Sequence, residues 1–490
     1  MEIQKKSLKK NMMLNSIKQI LSLLIPLITF PYVSQHLGVN AFGVYNLAAS
    51  VLSYLSYLAA MGITTYAIRE GSKIRDNRAE LNKLCSELFS INILFTLISY
   101  IVLLAIVMLS RKLFLYKECI FILSISMIFT AIGTEWINEI FEDYGYLTLR
   151  YIVIQIISII LIFVFVHNES DLIKYCGITV LSTVFIGVLN VFHRRGYVNI
   201  ELVIKCNINK HIKHMFVFFC SSIASVVYVN SDIIIIGFVL STYEVGIYSF
   251  SVRIYSIIKI ALSAIISTAI PRLTYYFSND VSKYQEYLNR VYTSLVLVVL
   301  PISIGMICLR KDIIYILGHT EYLSGDTVLF VLAIAMVFAL FGSFYYSLVL
   351  IIHGEEKVML YGTIIAASLN IILNIILIPQ YGIVAASITT LIAEICCFIV
   401  ALAVSQKKYK MQGLLDKVPH IYSGLISIII ILAWFLISRL FNKLSFNQAM
   451  FRAVFLMCLS AVIYLILLIS SHNSSIVSLK MSILGILRKK

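Results

Sequence analysis

Fourteen long apolar segments recur along this chain of 490 residues and limit what it can fold into. A helix needs about 20 consecutive apolar residues to cross a bilayer. Because hydrocarbon offers no water to the backbone, such segments have to be helical. The sequence therefore predicts an all-α polytopic membrane protein with about 14 transmembrane helices. The predicted spans are residues 13–33, 44–66, 84–110, 118–138, 150–166, 172–192, 214–240, 248–271, 291–309, 326–352, 358–378, 383–404, 421–441 and 450–470. The fifth and sixth could instead form one broken hairpin.

The composition excludes several classes of protein. Hydrophobic residues make up 60% of the chain and charged residues 13%, whereas a soluble domain has roughly 45–50% and 25%. The segments between the spans are too short for a separate soluble enzyme module or a DNA-binding domain. The nine cysteines are scattered without metal-ligand spacing. We interpret them as small apolar packing residues, and we predict no metal site.

The basic residues predict the orientation of the spans. With the N-terminus inside, 27 of the 39 Lys and Arg residues fall on the inner side and nine on the outer side. Cytoplasmic loops of membrane proteins are enriched in Lys and Arg. The sequence therefore predicts that both termini are cytoplasmic, with a basic tail at the C-terminal end.

Two pairs of similar segments predict an internal repeat. Residues 30–50 resemble residues 233–253, with Phe-Gly-Val-Tyr in the first and Val-Gly-Ile-Tyr in the second. Residues 141–155 and 352–366 are both acidic, glycine-containing inner loops that enter a helix. We expect two six-helix bundles, residues 1–210 and 211–410, followed by spans 13 and 14 in residues 411–490. Six spans is an even number, so the pseudo-twofold axis would lie along the membrane normal, as in parallel transporter repeats.

Motifs that would indicate catalysis are absent from the sequence. It contains no P-loop, no H-E-x-x-H zinc motif and no T-V-G-Y-G potassium filter. The outer loops are also too short to carry the catalytic groups of a membrane glycosyltransferase or polymerase. We therefore predict a carrier rather than an enzyme, with no catalytic residue and no cofactor.

Cationic residues inside spans are candidate binding groups, because a charge in hydrocarbon is costly unless it faces a cavity or a partner. Lys259 lies near the middle of span 8, and Arg253 lies six residues earlier. Lys18 lies about five residues into span 1, where its side chain could also reach the inner surface. We predict that Lys259 lines a cavity.

Acidic residues inside spans are candidate partners of these cations or proton-titratable sites. Glu394 lies near the middle of span 12 and could serve as either for Lys259. Asp232 in span 7 is at a depth similar to Arg253, so these two could form a structural ion pair. Glu135 lies near the inner end of span 4.

Four segments resemble bacterial polysaccharide repeat-unit flippases of the multidrug/oligosaccharidyl-lipid/polysaccharide exporter superfamily. The first is LNSIKQILSLLIPLITFPYVSQHLGVNAFGVYNLAAS, which resembles the first hairpin of these proteins. The others are EWINEIFEDYGYLTLR, SDIIIIGFVLSTYEVGIYSFSVRIY and IPQYGIVAASITTLIAE. They occur in the family's order, and the likeness covers nearly the whole chain.

The resemblance implies a carrier of two six-helix lobes in the bacterial cytoplasmic membrane. Its substrate would be an undecaprenyl-diphosphate-linked oligosaccharide, moved from the inner to the outer leaflet by alternating access for surface polysaccharide (capsule or O-antigen) assembly. A polysaccharide polymerase and glycosyltransferases would be functional partners. The cations that would hold the diphosphate are Lys259 and Arg253, with Lys18 and Arg290. The acids that would couple ions or pair with these cations are Glu394, Asp232 and Glu135.

Two related functions remain as alternatives. One is a lipid II flippase, and the other is a cation-coupled multidrug exporter of the same superfamily. The multidrug exporter would need midplane acids and few bases, whereas here Lys259 and Arg253 accompany Glu394. The balance of charges favours an anionic substrate.

Overall fold

The computed structural model describes residues 8–203, 208–409, 417–441 and 444–470, and all regular structure in these ranges is helical. The predicted basic tail, residues 471–490, lies outside the described residues. The helices are α1 (Leu8–Ala60), α2 (Ile63–Lys73), α3 (Arg78–Leu109), α4 (Arg111–Leu115), α5 (Lys117–Gly133), α6 (Trp136–Ile140), α7 (Tyr144–Phe165), α8 (Leu172–Arg194), α9 (Ile208–Val239), α10 (Thr242–Asn279), α11 (Val281–Gly318), α12 (Asp326–Phe344), α13 (Glu356–Tyr409), α14 (Lys417–Leu440) and α15 (Phe446–Ser470). Short 3₁₀ turns precede α8 and α12, and a π-helical turn follows α12.

The described helices account for fourteen crossings of a membrane. Twelve segments are long and apolar enough to cross, and two of these, Ile25–Lys73 and Glu356–Tyr409, are long enough to do so twice. The two long segments bend at Gly38 and Gly382, where φ is 66° and 65°. Glycine adopts this left-handed backbone without the clash of a Cβ atom. The prediction of an all-α membrane protein is confirmed, and α7 and α8 are separate helices rather than one broken hairpin.

Contacts between Cα atoms divide the chain into two compact units, the first ending at Gly246 and the second beginning at Ile247. This boundary differs from the repeat boundary expected at residue 210, because α9 packs along α1 within the first unit. The start of α10 also crosses α1 closely there. A Cβ atom on Gly43 would lie 1.8 Å from the backbone oxygen of Thr242. The assignment of six-helix lobes stays a prediction.

Two helices of the first unit, α5 and α8, pack with almost no space between their backbones. A Cβ atom on Gly187 of α8 would lie 2.6 Å from the backbone oxygen of Phe129 on α5. A Cβ atom on Gly133 would lie 3.0 Å from the Cα atom of Gly187. The two helices can approach this closely only because both positions lack side chains.

We expect Gly187→Ala to destabilise the protein by about 1–3 kcal/mol, because the new methyl group has to push the α5 backbone away. Gly177 lies on the same helix and has nothing within 4 Å of its Cβ position, so Gly177→Ala is the matched control. Thermal unfolding in detergent should show a lower transition temperature for the first variant only. Equal transition temperatures for both variants would contradict the close packing.

In the second unit, α14 and α15 pack on α11. Arg452 of α15 and Asp312 of α11 form a buried ion pair, with Arg452 Nε 3.1 Å from Asp312 Oδ1 and both side chains 6% exposed. Ser423 of α14 donates a hydrogen bond of 2.9 Å to the backbone oxygen of Val296 on α11. The last two crossings therefore belong to the core of this unit.

Candidate functional site

Lys259 of α10 forms an ion pair with Glu394 of α13 inside the second unit. The distance from Lys259 Nζ to Glu394 Oε1 is 3.0 Å. Lys259 lies 17 residues after the first residue of a 38-residue helix, so it is close to the middle of α10. The ammonium also lies 5.2 Å from the ring centroid of Tyr255, one turn earlier. Glu394 is thus paired with Lys259, and its role as a proton-titratable site stays a prediction.

The exposure of the two charged groups differs. The Glu394 side chain is 10% exposed and the Lys259 side chain 33%. A carboxylate in such a place needs a cation, because an uncompensated buried charge is strongly destabilising. Lys259 satisfies this need while a third of its own side chain stays accessible. The pair has no net charge, and the lysine is its accessible member.

A second group of charges lies in the first unit, where Glu135 accepts from two cations. Lys18 Nζ of α1 lies 2.7 Å from Glu135 Oε1, and Arg150 Nη2 of α7 lies 2.9 Å from Glu135 Oε2. Arg150 also donates to the side-chain oxygen of Asn190 on α8, which accepts a further hydrogen bond of 3.1 Å from Asn138. This polar cluster joins the helices α1, α7 and α8 to the segment that contains Glu135.

An interruption between the helices α5 and α6 places Glu135 in this cluster. Thr134 has a φ of 41°, which ends α5 at Gly133 before α6 begins at Trp136. The break leaves backbone oxygens without their helical donors. Arg194 of α8 donates to the backbone oxygen of Ile132 at 2.7 Å and to the Thr134 hydroxyl at 2.6 Å. The irregular segment is therefore held by the half-buried guanidinium of Arg194.

A cavity of about 280 Å³ adjoins the cluster within the first unit. Glu139, one turn after Glu135, faces it, and its carboxylate has no hydrogen-bond or ion-pair partner among the described residues. This volume is just below the range of pockets that hold drug-sized ligands. The other polar residues lining the cavity are Ser56, Thr64, Asn92 and Thr130.

Three of the residues selected from the sequence lie away from these two groups of charges. Arg253 is exposed on α10 and forms no ion pair with a described residue. Arg290 of α11 pairs with Glu286 one turn earlier on its own helix. Asp232 of α9 is 6% exposed in the first unit. Their roles in binding or coupling stay predictions.

Arg150 has a place in the cluster that the sequence did not predict. The apolar run of span 5 begins at residue 150, so this arginine counts as a loop charge in the topology. The helix starts earlier, at Tyr144, and Arg150 is 5% exposed in its second turn. The acidic loop before Tyr144 is the signal that could have placed the helix start there, since acidic residues favour helix N-termini.

Comparison with known proteins identifies the family of this chain. The family model described as "Polysaccharide biosynthesis protein" matches residues 8–277. A protein of Escherichia coli (strain K12) named as an O-antigen transporter is 23% identical over 276 residues, which are 56% of this chain and 66% of that protein. A protein of Shigella dysenteriae with the same name is 21% identical over 79% of this chain and 97% of its own length.

A solved structure has a similar fold. The lipid II flippase MurJ in an inward closed conformation superposes with a TM-score of 0.73 over 96% of this chain and 99% of its own, at 18% identity. A likeness at this identity concerns the fold alone. The matched family region contains Lys18, Glu135, Arg150 and Lys259 but ends before Glu394. The chain belongs to the polysaccharide biosynthesis protein family, as its resemblance to polysaccharide flippases predicted.

Proposed function

We propose that the protein is a flippase rather than an enzyme. It moves an undecaprenyl-diphosphate-linked oligosaccharide repeat unit from the cytoplasmic to the outer leaflet of the bacterial cytoplasmic membrane, where surface polysaccharide is assembled. Family membership and the names of the O-antigen transporter relatives support this function. Transport proceeds by alternating access between the two six-helix lobes, residues 1–210 and 211–410, with both termini in the cytoplasm.

The observation that carries the proposal is the Lys259–Glu394 pair, which joins the middle of α10 to the part of α13 after its bend at Gly382. Each charge retained in a membrane helix marks a functional site by default. A diphosphate cannot enter hydrocarbon without compensating charges. The ammonium of Lys259, whose side chain is the more exposed of the pair, can supply one, while the polyprenyl chain stays in the lipid.

Glu394 determines the charge of the site when no substrate is bound. Without substrate it neutralises Lys259, so the protein does not carry an unpaired cation into the membrane. The diphosphate competes with Glu394 for the ammonium and is released when the carboxylate takes the ammonium back. Lys18 near the inner end of α1 contributes in the same way from the first unit, and Arg253 and Arg290 contribute as additional cations.

Deletion of the gene in its own host tests the function. The flippase proposal predicts loss of surface polysaccharide, with its lipid-linked oligosaccharide accumulating in the membrane fraction. Expression of the intact chain should restore export. Accumulation of a peptidoglycan precursor instead would favour the lipid II alternative and contradict the proposal.

We expect the membrane potential to drive transport. Moving a negative charge outward across an inside-negative membrane is favourable by about 2.3 kcal/mol per charge per 100 mV, or roughly 4–5 kcal/mol for two charges. Protonation of Glu394 is then optional. In proteoliposomes at equal pH on both sides, flipping should accelerate with an inside-negative potential. Flipping that follows a pH gradient alone, with the potential clamped at zero, would contradict this electrogenic drive.

A further inference from the structure

Two cysteines of the first unit lie in direct contact with each other. Cys119 Sγ on α5 and Cys176 Sγ on α8 are 3.2 Å apart, although 57 residues separate them in the chain. Both residues are buried, at 2% and 0% exposure. Each lies close to the first residue of its helix, which is Lys117 for α5 and Leu172 for α8.

The geometry is close to that of a covalent bond. A disulfide has sulfurs about 2.05 Å apart, so these two need to approach by about 1.2 Å. The two helices are already held at their far ends, where Gly133 and Gly187 allow backbone contact. Rotation of the two cysteine side chains can bring the sulfurs together while this helix contact is kept.

The predicted topology places this contact on the oxidising side of the membrane. With the N-terminus inside, α5 and α8 both begin at the outer face. Cys119 is two residues from the start of α5 and Cys176 is four residues from the start of α8, or about 3 and 6 Å along the helix axes. Disulfides form and persist outside the cytoplasm and are rare within it.

We propose that Cys119 and Cys176 form a disulfide that links α5 to α8 at the outer face. The oxidant is a disulfide-bearing thiol oxidoreductase of the cell envelope. One cysteine thiolate attacks the oxidant's disulfide and forms a mixed disulfide with it, and the second thiolate displaces the oxidant. The chain loses two electrons and two thiol protons, and the oxidant leaves as a dithiol.

Burial determines when this reaction takes place and how long its product lasts. Oxidation precedes the final packing of α5 on α8, because the packed sulfurs are out of reach of a protein oxidant. The finished disulfide is protected from reductants for the same reason. For this pair, the proposal replaces the interpretation of the cysteines as packing residues.

The link also bears on the charged cluster of the first unit. The segment after α5 carries Glu135, and α8 carries Asn190, which binds Arg150. With a covalent bond at one end and glycine contact at the other, α5 and α8 move as one body. The proposal rests on the predicted topology and not on the transport function, so either can fail without the other.

Counting free thiols tests the disulfide. The full-length chain is taken from membranes of its own host, quenched with acid, denatured and alkylated before and after reduction. We expect seven of the nine cysteines to be alkylated before reduction and all nine afterwards, with a linked Cys119–Cys176 peptide in the unreduced digest. In Cys119→Ser, all eight remaining cysteines should be alkylated without reduction. The control Cys85→Ser removes a different buried cysteine. In this variant, two cysteines should stay protected from alkylation until the protein is reduced.

Thermal unfolding measures how much the link stabilises the protein. Loss of either partner breaks the same bond, so Cys119→Ser, Cys176→Ser and the double variant should show the same fall in transition temperature. Because thiols in contact can also be non-additive, the thiol count is the measurement that identifies the covalent bond. Alkylation of all nine cysteines before reduction would overturn the proposal.

Discussion

Replacing Lys259 with alanine should abolish polysaccharide export per molecule of protein in the membrane, while the variant still inserts into the membrane. The variant removes the ammonium of the Lys259–Glu394 pair. Truncating one partner of a buried charge pair costs about 2–5 kcal/mol. At tenfold per 1.4 kcal/mol, export should fall by roughly 30-fold to a few thousand-fold. Surface polysaccharide per cell, normalised to the membrane content of the variant, measures the effect.

Two variants control for charge and for surface effects. Lys259→Arg keeps the positive charge and should retain part of the activity. Lys283 of α11 lies at the helix start, is 62% exposed and pairs with Asp280 at 2.9 Å. Its hydrogen bond holds the pKa of Asp280 below the usual range. Lys283→Ala should leave export unchanged, because this pair lies outside the apolar part of the chain.

A double variant distinguishes substrate binding from simple neutralisation of Glu394. If Lys259 only compensates the carboxylate, then Lys259→Ala with Glu394→Ala removes both charges and restores export. If Lys259 binds the diphosphate, export stays lost although the buried charge is gone. We expect the second result. Wild-type export by Lys259→Ala alone, or full rescue by the double variant, would refute the assigned role.

Replacing Arg150 with alanine should be among the most destabilising changes in the first unit, by about 1.5–3 kcal/mol, because it removes buried hydrogen bonds of a charged group. Arg150 is 5% exposed and contacts Glu135 and Asn190. Its removal leaves the side-chain oxygen of Asn190 with Asn138 as its donor, and Glu135 with Lys18 as its remaining ion-pair partner among the described residues. The transition temperature in thermal unfolding measures the loss, and Arg150→Lys should recover part of it.

An exposed arginine serves as the control for this second prediction. Arg69 of α2 pairs with Glu70 at 2.8 Å, but its side chain is 45% exposed. Exposed pairs contribute about 0–1 kcal/mol, so Arg69→Ala should unfold close to the wild-type temperature. Equal stability of the Arg69 and Arg150 variants would show that Lys18 alone neutralises Glu135.

The sequence predicts the helices well because their cause is local. Any apolar run of about 20 residues has to be helical in lipid, so hydropathy is enough to find the fourteen crossings. The depth of Lys259 and Glu394 follows from the same counting, which made their pairing one of two open interpretations. The positions of the helices and the depth of these two residues could be inferred without knowing how the helices pack.

The first-unit cluster could not be predicted, because it depends on where helices begin and how they pack. Lys18 and Glu135 are 117 residues apart, and neither position alone indicates the other. Thr134 breaks its helix in a left-handed conformation that is uncommon for a threonine. Arg150 was counted with the loops, because α7 begins six residues before its apolar run. The packing of α9 in the first unit is likewise a tertiary property that the internal repeat does not specify.

The most direct test of the account is flipping by the purified chain in vesicles. The vesicles carry a labelled undecaprenyl-diphosphate oligosaccharide, and an impermeant glycosidase reports when its glycan reaches the outer leaflet. We expect the wild type to expose this glycan and not to expose a glycan on uncharged polyprenol. The Lys259→Ala variant should not expose the glycan of the diphosphate lipid. Equal flipping of the uncharged lipid, or equal flipping by the variant and the wild type, would contradict the claim that Lys259 carries an anionic headgroup across.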